Sequence, residues 1–302
     1  MEFTHPEYLV TTEWLAEHLA DPSVVVLDVT RKLTSRLDNG PGREIWAERH
    51  IPGSQFFDVA SAKGVLSDPD ASLPWTWPSP ERFAETLAAH GIGGDSRVVI
   101  VARTPRLDID SGTMWCTRAW WTMHHFGVDC ALLLGGVERW EAEGRPMASE
   151  AGPAVAAPAR AVELDVEWAR GRALRDDVLA AIERGDAGGC VIDALGVDSY
   201  EGRESTYGRP GHIAGAVNVP FRGLLEQETC AFVDADTMAA RLGGALHAAS
   251  VITYCGGAIA ATVPAFCLAL VGHETVSVYD GSLMEWAADP ELPMDAPQHD
   301  SS

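Results

Sequence analysis

The feature that most constrains the fold of this chain is an internal repeat, in which four short motifs occur twice in the same order. Four matches in one order indicate a duplicated structural unit rather than chance similarity. The chain is therefore predicted to contain two domains of one fold. The pairs are Leu27-Asp28 with Ile192-Asp193, His50-Ile51-Pro52-Gly53 with His212-Ile213-Ala214-Gly215, Val98–Ala102 with Val251–Cys255, and Leu134-Gly135-Gly136 with Asp280-Gly281-Ser282.

Apolar runs of strand length alternate with helical segments in both halves. Val24–Val29 and Val98–Ala102 are apolar at nearly every position, which is typical of parallel strands buried on both faces. This pattern predicts the α/β class, with two tandem domains that each have a mainly parallel sheet flanked by helices. The composition suggests an N-terminal domain at 1–147, an alanine- and proline-rich linker at 148–161, a C-terminal domain at 162–294 and a polar tail at 295–302.

Charge and cysteine content exclude several classes of function. A formal net charge of −22 at pH 7 argues against binding to nucleic acid or to an anionic membrane, because both need a cationic surface. The six cysteines are scattered, with no Cys-x-x-Cys pair, so neither a disulfide framework nor a metal site is predicted. The N-terminus lacks a basic segment followed by an apolar run, and we expect a cytoplasmic protein without a membrane span.

One stretch of the second half has the residues of a nucleophile site. Val251–Tyr254 leads to Cys255, and Gly256 and Gly257 follow, which predicts a strand, a tight loop and a helix start. Unpaired N–H groups and the helix dipole should favour the thiolate, and the glycines permit positive φ, so that N–H groups can turn toward one sulfur. Cys255 is thus a candidate nucleophile, the alternative being a small buried hydrophobe. Ala102 takes its place in the first half, so only the second half can perform thiol chemistry.

These motifs together resemble the rhodanese family of sulfurtransferases in its tandem two-domain form, over nearly the whole chain. The resemblance implies an inactive N-terminal domain and an active C-terminal domain, with the site in the cleft between them. It also implies that Cys255 takes a sulfane sulfur from a small anionic donor, becomes a persulfide and passes the sulfur to cyanide or to a thiol, including a protein thiol. No metal or organic cofactor is implied. The motifs are Arg49–Gly53, Gly211–Ala216, the Cys255 loop and Tyr279–Trp286.

The loop after the cysteine is expected to hold the transferred sulfur. A persulfide needs hydrogen-bond donors around its terminal sulfur, and successive backbone N–H groups of this loop can supply them. The loop resembles the mercaptopyruvate type more than the thiosulfate type, although Ala258 stands where glycine is usual. It carries no lysine or arginine for a compact dianion, which favours 3-mercaptopyruvate over thiosulfate as the donor. The predicted binding residues of the loop are Gly256, Gly257, Ala258, Ile259 and Ala260.

The cation that binds the donor's anionic group is missing from its usual position. The second copy in this family usually carries aspartate, one residue and then arginine, whereas this chain has Asp193-Ala194-Leu195. Arg203 and Arg209 are candidate replacements, with a solvated surface role as the alternative. Arg103 and Arg106, after the corresponding strand of the first half, are further candidates.

Three other polar motifs allow a structural interpretation. His50 stands where mercaptopyruvate-type relatives place a histidine that faces the cleft, and a neutral imidazole can move a proton near neutral pH. The alternative is a histidine that holds its turn through backbone hydrogen bonds. His212, its repeat partner, is predicted to be structural, and Asp280 and Ser282 are expected to cap the following helix.

Two other functions compete with sulfur transfer. A cysteine phosphatase needs an arginine six residues after the cysteine to bind phosphate, and Ala261 occupies that position here. A non-catalytic sulfur-carrier or docking module is favoured by Leu195 and Ala258, which replace usual residues of the family. Sulfur loading without turnover would identify such a module.

Overall fold

The computed structural model of the chain describes residues 2–33, 39–103, 112–149, 152, 155, 157–158, 160–165, 167–185, 189–229 and 231–296. Two units are separated by their internal contacts. The N-terminal unit comprises His5–Ala169 with Glu226–Ala231, and the C-terminal unit comprises Arg170–Leu225 and Phe232–Ser302 with Met1–Thr4. Much of the predicted linker, and residues 297–302 of the predicted tail, lie outside the described residues, so the sequence-based boundaries stay predictions.

The N-terminal unit is built on a five-stranded sheet in the order β1-β7-β6-β2-β5, in which every neighbouring pair is parallel. A separate antiparallel pair joins β3 and β4. The strands are β1 (Leu9–Val10), β2 (Val24–Asp28), β3 (Arg31–Leu33), β4 (Asn39–Pro41), β5 (Gln55–Phe56), β6 (Arg97–Val101) and β7 (Cys130–Leu133). The helices are α1 (Thr12–His18), α2 (Arg43–Glu48), α3 (Pro80–Ala89), α4 (Gly112–His125) and α5 (Gly136–Ala142).

The C-terminal unit has a second five-stranded parallel sheet, in the order β11-β9-β12-β13-β8. The short strands β10 and β14 form an antiparallel pair outside it. The strands are β8 (Arg172–Ala173), β9 (Cys190–Asp193), β10 (His212–Ile213), β11 (Val217–Asn218), β12 (Val251–Tyr254), β13 (Val276–Tyr279) and β14 (Met294–Asp295). The helices are α6 (Arg175–Arg184), α7 (Val197–Tyr200), α8 (Ala235–Leu242), α9 (Thr262–Leu270) and α10 (Ser282–Trp286).

The two sheets have the same topology when the second is read from its other edge, as β8-β13-β12-β9-β11. Equivalent backbone hydrogen bonds support this match. The N–H of Val29 donates to Val101 at 2.8 Å, and the N–H of Ala194 donates to Tyr254 at 2.9 Å. The predicted α/β class and the tandem repeat of mainly parallel sheets are confirmed.

The central strands are apolar because both faces of each sheet are covered. Every residue of β12 is buried. In the neighbouring helix α9, every residue except the half-buried Ala269 is buried. A core cluster of the C-terminal unit contains Tyr254, Tyr279 and Trp286, with Tyr207 packed against it. Among the described residues, none of the helices is both long enough and apolar enough to cross a membrane.

Candidate active site

Cys255 is the first residue after the central strand of the C-terminal sheet. Strand β12 lies between β9 and β13, and all three run parallel, so their carboxyl ends meet at one edge. Ligands of open α/β sheets bind outside the carboxyl ends of the strands. The loop from Cys255 to Ala261 leads directly into α9. The predicted strand, loop and helix are therefore confirmed, and the cysteine lies where a substrate site is expected.

The thiol of Cys255 is buried, with 2% of its surface exposed. Burial raises the pKa of Cys255 above its ordinary value, while the backbone N–H groups of Ala261, Gly257 and Ile259 act in the opposite direction. The prediction of a lowered pKa is therefore wrong for this geometry, because the loss of hydration outweighs the three donors. Of the five loop residues predicted to surround the sulfur, Gly257 and Ile259 act on it through their N–H groups, and the N–H of Ala258 donates to Ser282. The third donor to the sulfur is Ala261, which the sequence interpretation left out.

The glycines of the loop do not have the conformational role predicted for them. Neither Gly256 nor Gly257 adopts a positive φ, whereas Ala258 does, at 60°. A left-handed alanine costs roughly 1–2 kcal/mol. Gly256 is needed for space instead, because a Cβ atom built there would lie 2.0 Å from Cζ of Tyr207.

Ser282, which lies just after the neighbouring strand β13, holds the Cys255 loop through hydrogen bonds of its side chain. Its hydroxyl oxygen accepts the N–H of Cys255 at 3.3 Å and that of Ala258 at 3.1 Å, and its hydroxyl donates to the carbonyl of Tyr279 at 2.8 Å. It makes no side-chain cap, so the expectation that it caps α10 is wrong. An N–H group in the first turn of α10 also binds the loop, since the N–H of Leu283 donates to the Cys255 carbonyl at 3.0 Å. The loop is thereby held in one geometry.

Two carboxylates lie at the same strand ends. Asp193 is fully buried, and burial raises its pKa to about 6. One of its oxygens accepts the N–H of Leu195 at 2.7 Å, and a side-chain hydrogen bond from Tyr254 also acts on the carboxylate and lowers its pKa. The charge of Asp193 raises the pKa of Cys255 further. Asp280, expected as a helix cap, instead pairs with Arg172 at 2.8 Å.

The arginines predicted to bind the donor are engaged by the protein itself. The Nε of Arg203 donates to Asp198 at 2.7 Å, and its guanidinium also pairs with Glu201. Arg209 donates to backbone carbonyls of the turn that follows α10, at 2.7 Å for Asp289. In the N-terminal unit, Arg103 pairs with Glu141 at 3.0 Å. Arg106 lies outside the described residues.

The two repeat histidines occupy similar buried turns. His50, in the N-terminal unit, is 1% exposed, stacks on Trp46 and places Nδ1 2.7 Å from the Trp46 carbonyl oxygen. His212, in the C-terminal unit, stacks on Tyr200 and places Nδ1 2.7 Å from its carbonyl oxygen. Both sets of contacts are those of a histidine that holds a turn.

Comparisons with known proteins agree with the fold. Residues 174–289 match the rhodanese-like domain model. The 3-mercaptopyruvate sulfurtransferase of Escherichia coli (strain K12) is 30% identical over 295 residues, which covers 95% of this chain and 98% of that protein. The sulfur carrier protein TtuD of Thermus thermophilus is 31% identical over 300 residues, covering 95% of each.

A solved structure gives the same result. The crystal structure of SseA from Escherichia coli superposes with a TM-score of 0.76 at 26% identity and covers 91% of this chain and 98% of that one. The chain belongs to the rhodanese family of sulfurtransferases, and the predicted enzyme class is confirmed.

Three contributors to the site were missed from the sequence. Ala261, at the end of the loop, acts on the sulfur, and Ser282 and Tyr207 contact the loop from other places in the chain. One signal for Ser282 was available, because the repeat pairs it with Gly136, a residue type that tolerates the left-handed φ seen at both positions. No local pattern pointed to Tyr207.

Proposed function

We propose that this sulfurtransferase moves a sulfane sulfur from a small anionic donor to a thiol or to cyanide through a persulfide at Cys255. The observation that carries the proposal is the set of N–H groups from Gly257, Ile259 and Ala261 that act on the Cys255 sulfur at the carboxyl end of the sheet. Such donors stabilise a thiolate and, after loading, the negative outer sulfur of a persulfide.

The sulfur moves in two displacements. With 3-mercaptopyruvate, the Cys255 thiolate attacks the donor sulfur, an S–S bond forms, and the donor's C–S bond breaks. The electron pair of that C–S bond goes to carbon as an enolate, which takes the proton of the donor thiol and leaves as pyruvate. An acceptor thiolate then attacks the outer sulfur, becomes a persulfide itself, and releases Cys255 as the thiolate.

The proposed donor is an organic thiol such as 3-mercaptopyruvate rather than thiosulfate. No lysine or arginine follows Cys255 within the loop, so a compact dianion would exchange strong hydration for backbone donors alone. Arg203 is already paired with two carboxylates, and His50 is buried in its turn. Their contacts favour structural roles, so the proposed site consists of Cys255 and its loop.

Intact-mass spectrometry tests the intermediate. Incubation with 3-mercaptopyruvate should add about 32 Da, one sulfur, to the wild-type protein and none to Cys255→Ser. Cys190→Ser is the matched control, because Cys190 lies at the other end of the same sheet and should leave loading intact. A mass gain that survives in Cys255→Ser would refute the assignment.

Kinetics with both donors test the preference. The value of kcat/KM for 3-mercaptopyruvate should exceed that for thiosulfate with one acceptor at one ionic strength. A thiosulfate value about tenfold higher, equivalent to about 1.4 kcal/mol, would refute it.

The second candidate is a sulfur carrier that loads but does not turn over. Leu195 and Ala258, which replace usual residues of the family, favour it, and a relative from Thermus thermophilus bears the name of sulfur carrier protein. A single loading event without steady-state product from any small acceptor would identify this function. The cytoplasmic location remains a prediction in both cases.

A further inference from the structure

Tyr207 lies directly against the residue that follows the nucleophile. A Cβ atom built at Gly256 would lie 2.0 Å from Cζ, 2.3 Å from the hydroxyl oxygen and 2.4 Å from Cε1 of Tyr207. The backbone of Gly256 has no positive φ, so an alanine would fit its conformation. The tip of the Tyr207 ring therefore occupies the space that a side chain beside Cys255 would otherwise fill.

The loop beneath the ring is held by backbone hydrogen bonds, whereas the ring is held through its side-chain contacts. The N–H groups of Leu283 and Met284 donate to the carbonyls of Cys255 and Gly256 at 3.0 and 2.9 Å, which ties the loop to α10. Moving the loop outward would break these bonds. The Tyr207 side chain packs against the core cluster of the C-terminal unit, and turning it to another rotamer exchanges side-chain contacts without breaking a backbone hydrogen bond of the loop. Since Cys255 is buried and its loop is tied to α10, the ring is the part that moves when a reactant approaches.

The segment that carries Tyr207 is anchored on both sides. Residues 201–211 form turns and bends rather than a helix or strand. Arg203 pairs with Asp198 before Tyr207, and Arg209 donates after it to the carbonyls of Trp286 at 3.1 Å and Asp289 at 2.7 Å. The two arginines that looked like donor-binding cations thus hold this segment, and so position the ring.

We propose that Tyr207 is an access- and specificity-determining residue, whose ring must leave Gly256 before a donor or acceptor reaches the Cys255 sulfur. The space that the ring vacates receives the organic part of the reactant, so its size selects among donors. The donor selection rests on the proposed function, whereas the access step concerns only the exposure of one thiol.

Alkylation by iodoacetamide, followed by peptide mass spectrometry, measures that exposure. Tyr207→Ala should raise the alkylation rate of Cys255 about fivefold or more, because access and thiolate fraction set thiol reactivity. Tyr207→Phe keeps the ring and should stay within about twofold of wild type by the same reasoning. Half-buried Cys190 is the internal reference, since it lies at the opposite end of the strand next to β12 and should react equally in all three proteins.

A second variant addresses the same contact from the other side. Gly256→Ala places a methyl group where the ring lies, so it should displace Tyr207 and also raise Cys255 alkylation. Added to Tyr207→Ala, it should produce no further rise. Unchanged Cys255 alkylation in Tyr207→Ala, or an equal rise at Cys190, overturns the proposal. If Tyr207→Ala does not fold, Gly256→Ala decides alone, and an unchanged rate overturns it.

Failure of this proposal and failure of the proposed function give different results. Alkylation needs no sulfur donor, so the expected pattern without any sulfur transfer would leave Tyr207 as the access residue and reject the transfer function. Persulfide formation at Cys255, together with alkylation rates that do not change in Tyr207→Ala, would support the transfer function and reject Tyr207 as the access residue. The size effect has its own readout. Tyr207→Ala should raise kcat/KM more for a 3-mercaptopyruvate that carries an aryl group on C3, and so leaves as the arylpyruvate enolate, than for 3-mercaptopyruvate itself. An equal change for both donors contradicts the size effect.

Discussion

The N-terminal and C-terminal units place the same backbone around different side chains at the end of their central strands. In the N-terminal unit the N–H of Val137 donates to the carbonyl of Ala102 at 3.2 Å. In the C-terminal unit the N–H of Leu283 donates to the carbonyl of Cys255 at 3.0 Å. This hydrogen bond is therefore common to both units, whereas at this position the thiol is present only in the C-terminal unit.

The residue before each donor shows what else the second unit adds. Gly136 and Ser282 both have a left-handed φ, of 60° and 47°. Glycine takes that conformation without cost, while serine keeps it and supplies a hydroxyl to two N–H groups of the Cys255 loop. The C-terminal unit therefore differs from the N-terminal unit by a hydroxyl that holds the loop as well as by a sulfur atom.

The largest expected effect comes from moving the cysteine between the units. Ala102→Cys in a Cys255→Ala background should lower sulfur transfer on the order of 1,000-fold or more, because transition-state stabilisation depends on the donors of the surrounding loop and the sequence of the Cys255 loop is not repeated after Ala102. The residues after Ala102 are Arg103-Thr104-Pro105, and proline has no N–H to donate. Adding Gly136→Ser supplies only the hydroxyl and should not restore activity. Measurable turnover in Ala102→Cys would mean that the cysteine alone defines the site, and turnover that appears only after Gly136→Ser is added would mean that the cysteine and the hydroxyl together define it.

A smaller effect concerns Asp193, which ends β9 as Asp28 ends β2. Burial raises the pKa of both carboxyls, for Asp193 from 3.8 to about 6. Between these pH values the unfolded chain is ionised while the folded one keeps its proton, so the free energy of unfolding falls as pH rises from about 4 to 6, by roughly 3 kcal/mol at most. Asp193→Asn should remove the part of that fall that Asp193 causes and leave the part caused by Asp28, as shown by urea unfolding at pH 4, 5, 6 and 7.

The Asn variant has a second readout. Without the Asp193 charge, the pKa of the Cys255 thiol should decrease, which a pH profile of alkylation would show. Asp28→Asn is the control, since it should change stability with the same sign and leave Cys255 unaffected. A pH profile of Asp193→Asn stability parallel to that of wild type would contradict the buried carboxyl as its cause.

The smallest effect separates the hydroxyl of Ser282 from its backbone. Ser282→Ala leaves two buried N–H groups without their acceptor and should lower the free energy of unfolding by about 1–3 kcal/mol. Ser282→Gly makes this site like Gly136 and relieves the left-handed φ, so it should be about 1 kcal/mol more stable than Ser282→Ala. Thermal unfolding of the two variants compares them directly. Equal stability would show that the backbone at residue 282 is not strained.

The sequence predicted what depends on local pattern and missed what depends on contacts between distant residues. The repeat, the alternating elements and the loop at Cys255 follow from periodicity and from residue types that recur in order. The pKa of Cys255 does not, because it depends on how completely the folded unit removes water from the sulfur. Glycine is required at position 256 because the ring of Tyr207, a residue far from it in sequence, occupies the space of a side chain. The sequence likewise does not show that Arg209 donates to backbone carbonyls, such as that of Asp289.

The parallel register of β9 and β12 also determines what can happen to sulfur once it is bound. Cys190 pairs with Val251, so Cys255 lies four residues farther along the ladder, on the order of 13 Å away at about 3.3 Å per residue. A disulfide needs Cα atoms within about 7 Å. Cys190 therefore cannot attack a Cys255 persulfide and form a disulfide with Cys255. For the same reason, a Cys190–Cys255 disulfide cannot protect Cys255 from further oxidation.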